Sequence, residues 1–234
     1  MKKINLFFKK IISAIYPNKC ICCSEIIDEG NYLCSNCYKS IERNLLNDIC
    51  FSCGFEKDEC VCKYNIYRFN SLICVFKNKG LARRAYYSYK FSKRQHYVNF
   101  FADEMCKSVK QCYNDIEFDF ICSVPPANRF GYNHCGYLAK EMSKILNIPY
   151  IDDLLLCVKK TKKQHKSSIK ERINNIEGKY KCKFNIKNAQ VLLVDDIKTT
   201  GSTIDECTKM LLFAGAKSVH CITTLGTSQS KELD

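Results

Sequence analysis

The sequence predicts an α/β domain with a mainly parallel sheet flanked by helices, preceded by a small cysteine-rich metal-binding module. From about residue 66 onward, apolar runs of strand length alternate with longer amphipathic segments, as in parallel sheets joined by crossover helices. Nine of the 18 cysteines fall within residues 1–62, most of them in close pairs. The 46% hydrophobic content is sufficient for a packed core. We therefore divide the chain into residues 1–16, 17–65 and 66–234.

Residues 1–16 predict an amphipathic helix that ends before Pro17. Lys9 and Lys10 interrupt its apolar run and no small-residue cleavage site follows, so the segment differs from a secretory signal. No stretch reaches the roughly 18 uninterrupted apolar residues of a membrane span. We expect a cytoplasmic protein without stable membrane insertion; attachment of this helix to a membrane surface is the alternative.

The cysteines of residues 17–65 predict one to two structural zinc ions. Each close pair can supply two thiolates from one tight turn, and two such pairs complete a tetrahedral zinc site. The pairs are Cys20/Cys23, Cys34/Cys37, Cys50/Cys53 and Cys60/Cys62. Sequential grouping of these pairs is the simplest assignment; interleaved grouping, and Cys22 as a ligand in place of Cys23, stay open. A disulfide framework is disfavoured without a secretory signal.

The elements of residues 66–234 follow from hydrophobic periodicity and from turn residues. Strands are expected at 69–76, 118–124, 149–151, 155–158, 190–194 and 218–224, and helices at 79–92, 96–112, 134–146, 168–175 and 202–214. Pro125 and Pro126 end the second strand, and Gly215 ends the last helix.

One segment of this domain combines two kinds of ligand-binding group. The apolar run 191–194 is followed by Asp195 and Asp196, at the end of a strand where ligands bind in open α/β sheets. Adjacent carboxylates can accept hydrogen bonds from two neighbouring sugar hydroxyls. The turn that follows offers backbone N–H groups, hydroxyls and a helix N-terminus to a phosphate, through Thr199, Thr200, Gly201, Ser202 and Thr203. The pattern indicates a site for a ribose 5-phosphate; the alternative is a strand and a capped helix with solvated acids.

Positive charge is concentrated in residues 63–188, which hold 25 basic and 10 acidic residues. The highest density of positive charge lies in the lysine cluster 159–166. Such a cluster can bind pyrophosphate, single-stranded nucleic acid, or both. A second stretch interleaves cations and aromatic rings as base-stacking surfaces do: Arg83, Arg84, Tyr86, Tyr87, Tyr89 and Phe91. The alternative is that these are the packed and solvated faces of one helix.

Segment 191–203 resembles the motif that binds 5-phosphoribosyl 1-pyrophosphate (PRPP) in type I phosphoribosyltransferases. The resemblance implies that Asp195 and Asp196 hold the ribose 2′ and 3′ hydroxyls, that 199–203 hold the 5′-phosphate, and that Mg²⁺ is a co-ligand. It further implies a pyrophosphate-binding turn after strand 118–124 and a hood segment that closes over the site. The candidate pyrophosphate contacts are Ala127, Asn128 and Arg129 in that turn, and Lys162, Lys163 and Lys166 in the hood.

Over residues 11–227 the chain resembles the ComF family, in which zinc knuckles precede a phosphoribosyltransferase domain. The resemblance lies in Ser123–Pro126, in Arg129–His134, and in Thr161, Gln164, Arg172, Asn175 and Gly178 at the family's spacing. Two positions depart from it: Phe130 stands where the family has an arginine, and His134 replaces a glutamine. Because of the first departure, Arg129 would have to substitute for that arginine from one place earlier in the chain. The family includes competence proteins for DNA uptake and GntX-type utilisation proteins.

The resemblance implies PRPP-dependent phosphoribosyl transfer or a PRPP-linked role in DNA uptake. Thr199 stands where purine-salvage transferases have an acid, so that reaction is disfavoured. No Ser-His-Asp pattern, His-Glu-x-x-His helix or general base is identifiable, which leaves catalysis and the acceptor open. The alternative is a non-catalytic adaptor that binds single-stranded DNA and competence or DNA-processing proteins.

Overall fold

A computed structural model of the chain describes residues 17–60, 62, 67–91, 95–127, 132–158 and 177–228. The helices expected at 1–16 and near 168–175, and the lysine cluster 159–166, lie outside these residues. The described helices are α1 (Ser35–Ser40), α2 (Gly80–Phe91), α3 (Val98–Cys112), α4 (His134–Leu146) and α5 (Ser202–Phe213). The described strands are β1 (Ile49–Cys50), β2 (Phe55–Glu56), β3 (Ser71–Lys77), β4 (Phe120–Ser123), β5 (Leu155–Cys157), β6 (Tyr180–Cys182), β7 (Gln190–Lys198) and β8 (Ser218–Gly226).

The chain divides into two compact units. The first consists of Met1–Glu42 with Lys79–Tyr97, and the second of Arg43–Asn78 with Val98–Asp234. Helices α1 and α2 belong to the first unit, and every described strand belongs to the second. The sequence boundaries expected at residues 17 and 66 stay predictions.

Within the first unit, Glu42 fixes the start of α2. Its two carboxylate oxygens accept the backbone N–H groups of Leu81 at 3.2 Å and Ala82 at 3.0 Å. A carboxylate at this end of a helix satisfies free N–H groups and is stabilised by the helix dipole. The inward face of α2 is buried and consists of Ala82, Ala85, Tyr86 and Tyr89.

The second unit contains a four-stranded parallel sheet in the order β3-β8-β7-β4. The apolar run Val191–Val194 lies in β7, and each of its residues is fully buried, because β8 and β4 flank this central strand and helices cover the sheet. The mainly parallel sheet expected from the alternation of strands and helices is therefore confirmed. Strands β5 and β6 form a separate antiparallel pair. The strand expected at 149–151 is reduced to one bridge between Tyr150 and Ile121.

Strand β7 extends four residues beyond the expected end at 194. It does so because β8 continues to pair with it, joining Asp195 to Thr223 and Lys198 to Gly226. The two aspartates therefore lie within the last part of the strand rather than after it. Their backbone is fixed by the sheet, which restricts the positions of both carboxylates.

The hairpin formed by β1 and β2 packs on the same sheet. Phe55 of this hairpin belongs to the buried cluster that contains Leu72, Cys74 and Leu193. Backbone bonds add to the packing: Leu72 N–H donates to Phe51 O at 2.7 Å, and Cys74 N–H donates to Gly54 O at 3.2 Å. Among the described helices, none is long and apolar enough to cross a membrane.

Candidate functional site

Two carboxylates at the end of β7 form the centre of the site. Asp195 is 6% exposed, and its Oδ1 accepts hydrogen bonds from Asp196 N–H at 2.8 Å and from the Cys135 thiol at 3.5 Å. Oδ1 of Asp196 accepts the N–H of Ile197 at 2.7 Å. Ligand atoms of Cys135, Asp195 and Asp196 all lie within 4.8 Å of one another. The two acids are thus adjacent and individually oriented, as binding of a vicinal diol requires.

The loop after β7 ends in a helix N-terminus. Gly201 has φ +81° and caps α5, a conformation that favours glycine. The Thr200 hydroxyl lies 2.8 Å from the Ser202 hydroxyl and accepts the Ser202 N–H at 3.4 Å. Hydroxyls and free N–H groups at the positive end of a helix dipole make an anion-binding site. Thr199 and Thr203 flank these residues, so all five predicted loop residues lie in the connection from β7 to α5 or in the first turn of α5.

Tyr67 holds this loop in place, and no motif in the sequence indicates this role. Its hydroxyl donates to Thr200 O at 2.8 Å, and its ring is so close to Gly201 that a Cβ there would lie 3.1 Å from Cε1. The ring stacks on Phe69, with centroids 4.9 Å apart. Burial raises the pKa of Tyr67 to about 12, with the Cys62 and Cys53 thiolates adding to the shift. The hydroxyl therefore stays protonated at neutral pH and can donate its hydrogen bond to Thr200 O.

The predicted pyrophosphate contacts fall at or beyond the limits of the described chain. Ala127 is exposed, while Asn128, Arg129, Lys162, Lys163 and Lys166 lie outside the described residues. The turn before Ala127 borders a cavity of about 450 Å³. This cavity is lined by Pro125, Pro126, Asn133, Asp152, Asp153, Leu155, Leu156, Cys157 and Val158. Sequence reasoning missed this cavity, because its wall combines β5 with segments remote in the chain.

The first cysteine cluster has the geometry of a zinc site. The sulfurs of Cys20, Cys23, Cys34 and Cys37 all lie within 4.8 Å of one another, which corresponds to the sequential grouping. The Cys23 and Cys34 sulfurs are 3.7 Å apart; Zn–S bonds of about 2.3 Å in a tetrahedron place sulfurs about 3.8 Å apart. Cys22 is buried and its thiol donates to Leu81 O at 3.8 Å, so Cys23 is the member of the cluster.

The second cluster has the same composition. Its sulfurs, within 4.8 Å of one another, are those of Cys50, Cys53, Cys60 and Cys62. The Cys62 N–H donates to Cys60 Sγ at 3.3 Å, an N–H···S bond that stabilises a thiolate. Gly54 follows Cys53 with φ +80°, the left-handed turn residue expected after a knuckle cysteine.

The thiol pKa values show that each cluster favours a cation. In the first, burial opposes ionisation of Cys20, but hydrogen bonds from backbone N–H groups lower its pKa to about 7. In the same cluster, burial and neighbouring thiols raise the pKa of Cys37. In the second, burial and neighbouring thiolates, first among them Cys50, raise the pKa of Cys53. Several thiolates at this spacing repel one another unless a metal ion neutralises them, and four sulfur donors suit Zn²⁺.

Comparisons with protein families agree with both parts of this description. Residues 133–234 match the phosphoribosyl transferase domain, and residues 11–65 match the double zinc ribbon domain. Fold and site together define a phosphoribosyltransferase-fold protein with an N-terminal cysteine-rich zinc ribbon module.

Curated relatives identify the family more closely. Competence protein F of Haemophilus influenzae is 34% identical over 95 residues, which cover 39% of this chain and 42% of that protein. DNA utilization protein YhgH of Escherichia coli K12 is 29% identical over 106 residues, covering 44% and 47% respectively. Together with the two matched domains, these relatives support the assignment of the chain to the ComF family. It matches less than half the length of these relatives.

Solved structures with detectable similarity include two enzymes. Adenine phosphoribosyltransferase from Saccharomyces cerevisiae superposes with a TM-score of 0.40 at 12% identity, covering 57% of this chain and 70% of that one. Phosphoribosylpyrophosphate synthetase from Mycobacterium smegmatis gives 0.34 at 19% identity, covering 53% and 33%. Scores this low add nothing to the assignment.

Proposed function

We propose that this protein binds PRPP at the end of β7 and uses it in phosphoribosyl transfer or in a PRPP-linked step of DNA utilisation in the cytoplasm. The observation that supports the proposal is the adjacency of Asp195 and Asp196 to the helix N-terminus capped by Gly201. In this proposal, two diol acceptors and an anion site follow one another along one strand, loop and helix. The relatives' names, competence and DNA utilization, supply the biological context.

Each group of the ligand has a partner in this proposal. Asp195 and Asp196 accept hydrogen bonds from the ribose 2′ and 3′ hydroxyls, and residues 199–203 bind the 5′-phosphate. The residues for pyrophosphate are Ala127, Asn128, Arg129, Lys162, Lys163 and Lys166. Carboxylates and phosphate oxygens are the hard ligands that Mg²⁺ prefers. A bound Mg²⁺ supplies positive charge that offsets the charge of the departing pyrophosphate.

The 450 Å³ cavity is large enough to hold a second ligand beside the ribose. Asn133 lines it and also caps α4 by accepting the Gly136 N–H at 2.9 Å. Two residues further on, Cys135 contacts Asp195. The first turn of α4 thus borders both the cavity and the acid pair, where an acceptor would meet C1 of the ribose.

The test is replacement of both aspartates by asparagine. Asn keeps the shape but removes both charges, and charge-assisted hydrogen bonds contribute about 1.5–3 kcal/mol each. PRPP affinity measured by calorimetry should fall by at least tenfold. A control in which Asp103 and Asp115, both exposed, are changed to Asn removes equal charge elsewhere and should leave affinity unchanged. Equal affinity of wild type and the Asp195/Asp196 variant would place the PRPP site elsewhere. Release of pyrophosphate from PRPP, with and without acceptors, separates turnover from binding.

A second candidate function is single-stranded DNA binding by a non-catalytic adaptor, and α2 favours it. On its outer face the Arg83 guanidinium lies 5.5 Å from the centre of the Tyr87 ring. The Tyr87 and Phe91 rings are 5.6 Å apart, and Phe91 is 74% exposed. A cation beside one half-buried ring, Tyr87, and one exposed ring, Phe91, is a surface on which bases can stack. Tyr86 and Tyr89, part of the same expected surface, belong instead to the buried face of the helix.

A further inference from the structure

The phosphate-binding loop 199–203 rests on residues next to the second cysteine cluster. Tyr67, five residues after Cys62, donates its hydroxyl to Thr200 O at 2.8 Å. Its ring occupies the space that a side chain at Gly201 would need. One side of the loop is therefore held by a residue that follows the last cysteine of the cluster.

The end of β7 rests on the same cysteine-rich hairpin. Lys198 is 2% exposed, and its ammonium lies 5.2 Å from the centre of the Phe55 ring. Phe55 follows Cys53 by two residues and packs so closely on Gly226 that a Cβ there would lie 2.7 Å from its ring. The contact of Lys198 with Phe55 is a cation–π interaction in a buried setting, where such contacts are strongest. Both ends of the segment 198–201 thus contact residues that flank cysteines of one cluster.

We propose that Tyr67 and Phe55 couple the second cysteine cluster (Cys50, Cys53, Cys60 and Cys62) to the phosphate-binding loop. Zinc bound by this cluster then increases the affinity of the site for PRPP. Tyr67 is then a positioning residue: it acts on the ligand through Thr200 and Gly201. The inference rests on the proposed PRPP site. It assigns the two clusters different roles. The contacts of Phe55 and Tyr67 with residues 198–201 involve residues that flank the second cluster, and all of these residues belong to the second compact unit.

The physical basis is the small size of the hairpin. Strands β1 and β2 have two residues each, and a hairpin this short is not stable without further support. Zinc supplies that support, because four thiolates held by one ion fix the turns that carry them. Loss of the ion releases Phe55 and Tyr67, and residues 198–201 lose two of their contacts.

The experiment compares three variants by zinc content, thermal unfolding and PRPP affinity. Tyr67→Phe removes only the hydroxyl; Cys60→Ser disrupts the second cluster and Cys23→Ser the first, as the matched control. We expect Tyr67→Phe to weaken PRPP binding about two- to tenfold with full zinc content, the effect of one lost hydrogen bond. Cys60→Ser should lose one zinc and bind PRPP more weakly still. Cys23→Ser should lose one zinc and keep wild-type affinity.

Two results would overturn the coupling. One is unchanged PRPP affinity in both Tyr67→Phe and Cys60→Ser; the other is equal loss of affinity in Cys23→Ser and Cys60→Ser. The rate of backbone amide hydrogen exchange in residues 199–203 can be measured without PRPP, so this part of the test does not depend on ligand binding. The exchange rate should rise in Cys60→Ser and stay as in wild type in Cys23→Ser. This expectation holds even if the wild-type protein binds no PRPP. That pattern without PRPP binding would refute the proposed function alone, whereas unchanged exchange in Cys60→Ser would refute the coupling.

Discussion

The thiol of Cys135 donates a 3.5 Å hydrogen bond to Oδ1 of Asp195, and so links the first turn of α4 to the end of β7. The same oxygen accepts the Asp196 N–H at 2.8 Å. Two donors from different elements therefore orient this carboxylate before any ligand arrives, which reduces the reorganisation needed on binding. An isolated cysteine outside any motif gives no indication of this role in the sequence.

We predict that Cys135→Ala weakens PRPP binding about two- to fivefold, because a thiol is a weak donor and one of two orienting bonds is lost. Cys106→Ala is the matched control: this cysteine is also buried and its thiol donates to Met142 O at 3.9 Å, but it is not part of the group formed by Cys135 and the acid pair. Calorimetry should show reduced affinity for the first variant alone. Loss of affinity in both would indicate general destabilisation instead.

Gly201→Ala should reduce both stability and PRPP affinity. The residue has φ +81°, where a side chain costs about 1–2 kcal/mol, and its Cβ would press on the Tyr67 ring at 3.1 Å. Gly30→Ala provides the comparison, since Gly30 has φ +90° with nothing within 4 Å of a Cβ. That variant should lower the melting temperature and leave PRPP affinity intact. If Gly201→Ala affects melting temperature only, the loop does not bind the phosphate.

Local patterns predicted the parts of the fold and site that are contiguous in the chain. The run Val191–Val194, the acids after it and the loop up to Thr203 are one segment, so strand, carboxylates and helix start could be read together. Tyr67 could not be found in this way, because it contacts Thr200 from 133 positions away. The end of β7 was misplaced for a related reason. It depends on pairing with β8, which no pattern within residues 190–198 reports.

Metal analysis should find one to two zinc ions per chain in freshly purified, reduced protein. Cys22→Ser should keep the wild-type zinc content, since Cys22 is not one of the four grouped sulfurs and its thiol donates to Leu81 O. Cys23→Ser should lose one ion, because it removes one of four sulfurs within 4.8 Å. Protein without zinc, or loss of zinc from the Cys22 variant instead, would contradict the assignment.

Stability should fall with acidification in part through His220. Its Nδ1 lies 2.7 Å from the Ser71 hydroxyl, and burial lowers its pKa below the ordinary value. Below that ordinary value the unfolded chain binds the proton more readily than the fold, so this group destabilises the fold as pH falls from about 6.5. His220→Asn should flatten the change in unfolding free energy between pH 7 and pH 5.

The lysine cluster 159–166 distinguishes the two candidate functions. We predict that changing Lys159, Lys160, Lys162 and Lys163 to Gln lowers pyrophosphate affinity or turnover, as expected for a hood, and barely changes binding of single-stranded DNA. Tyr87→Ala with Phe91→Ala should weaken binding of single-stranded DNA and leave pyrophosphate affinity and turnover as in wild type, because it removes two outer rings of α2 and leaves the PRPP site unchanged. The salt dependence of DNA binding provides the decisive measurement. Affinity falls by about 0.7 log units per released counterion for each log unit of salt. A lower slope in the lysine variant, with PRPP binding unaltered, would instead assign the cluster to nucleic acid and favour the adaptor.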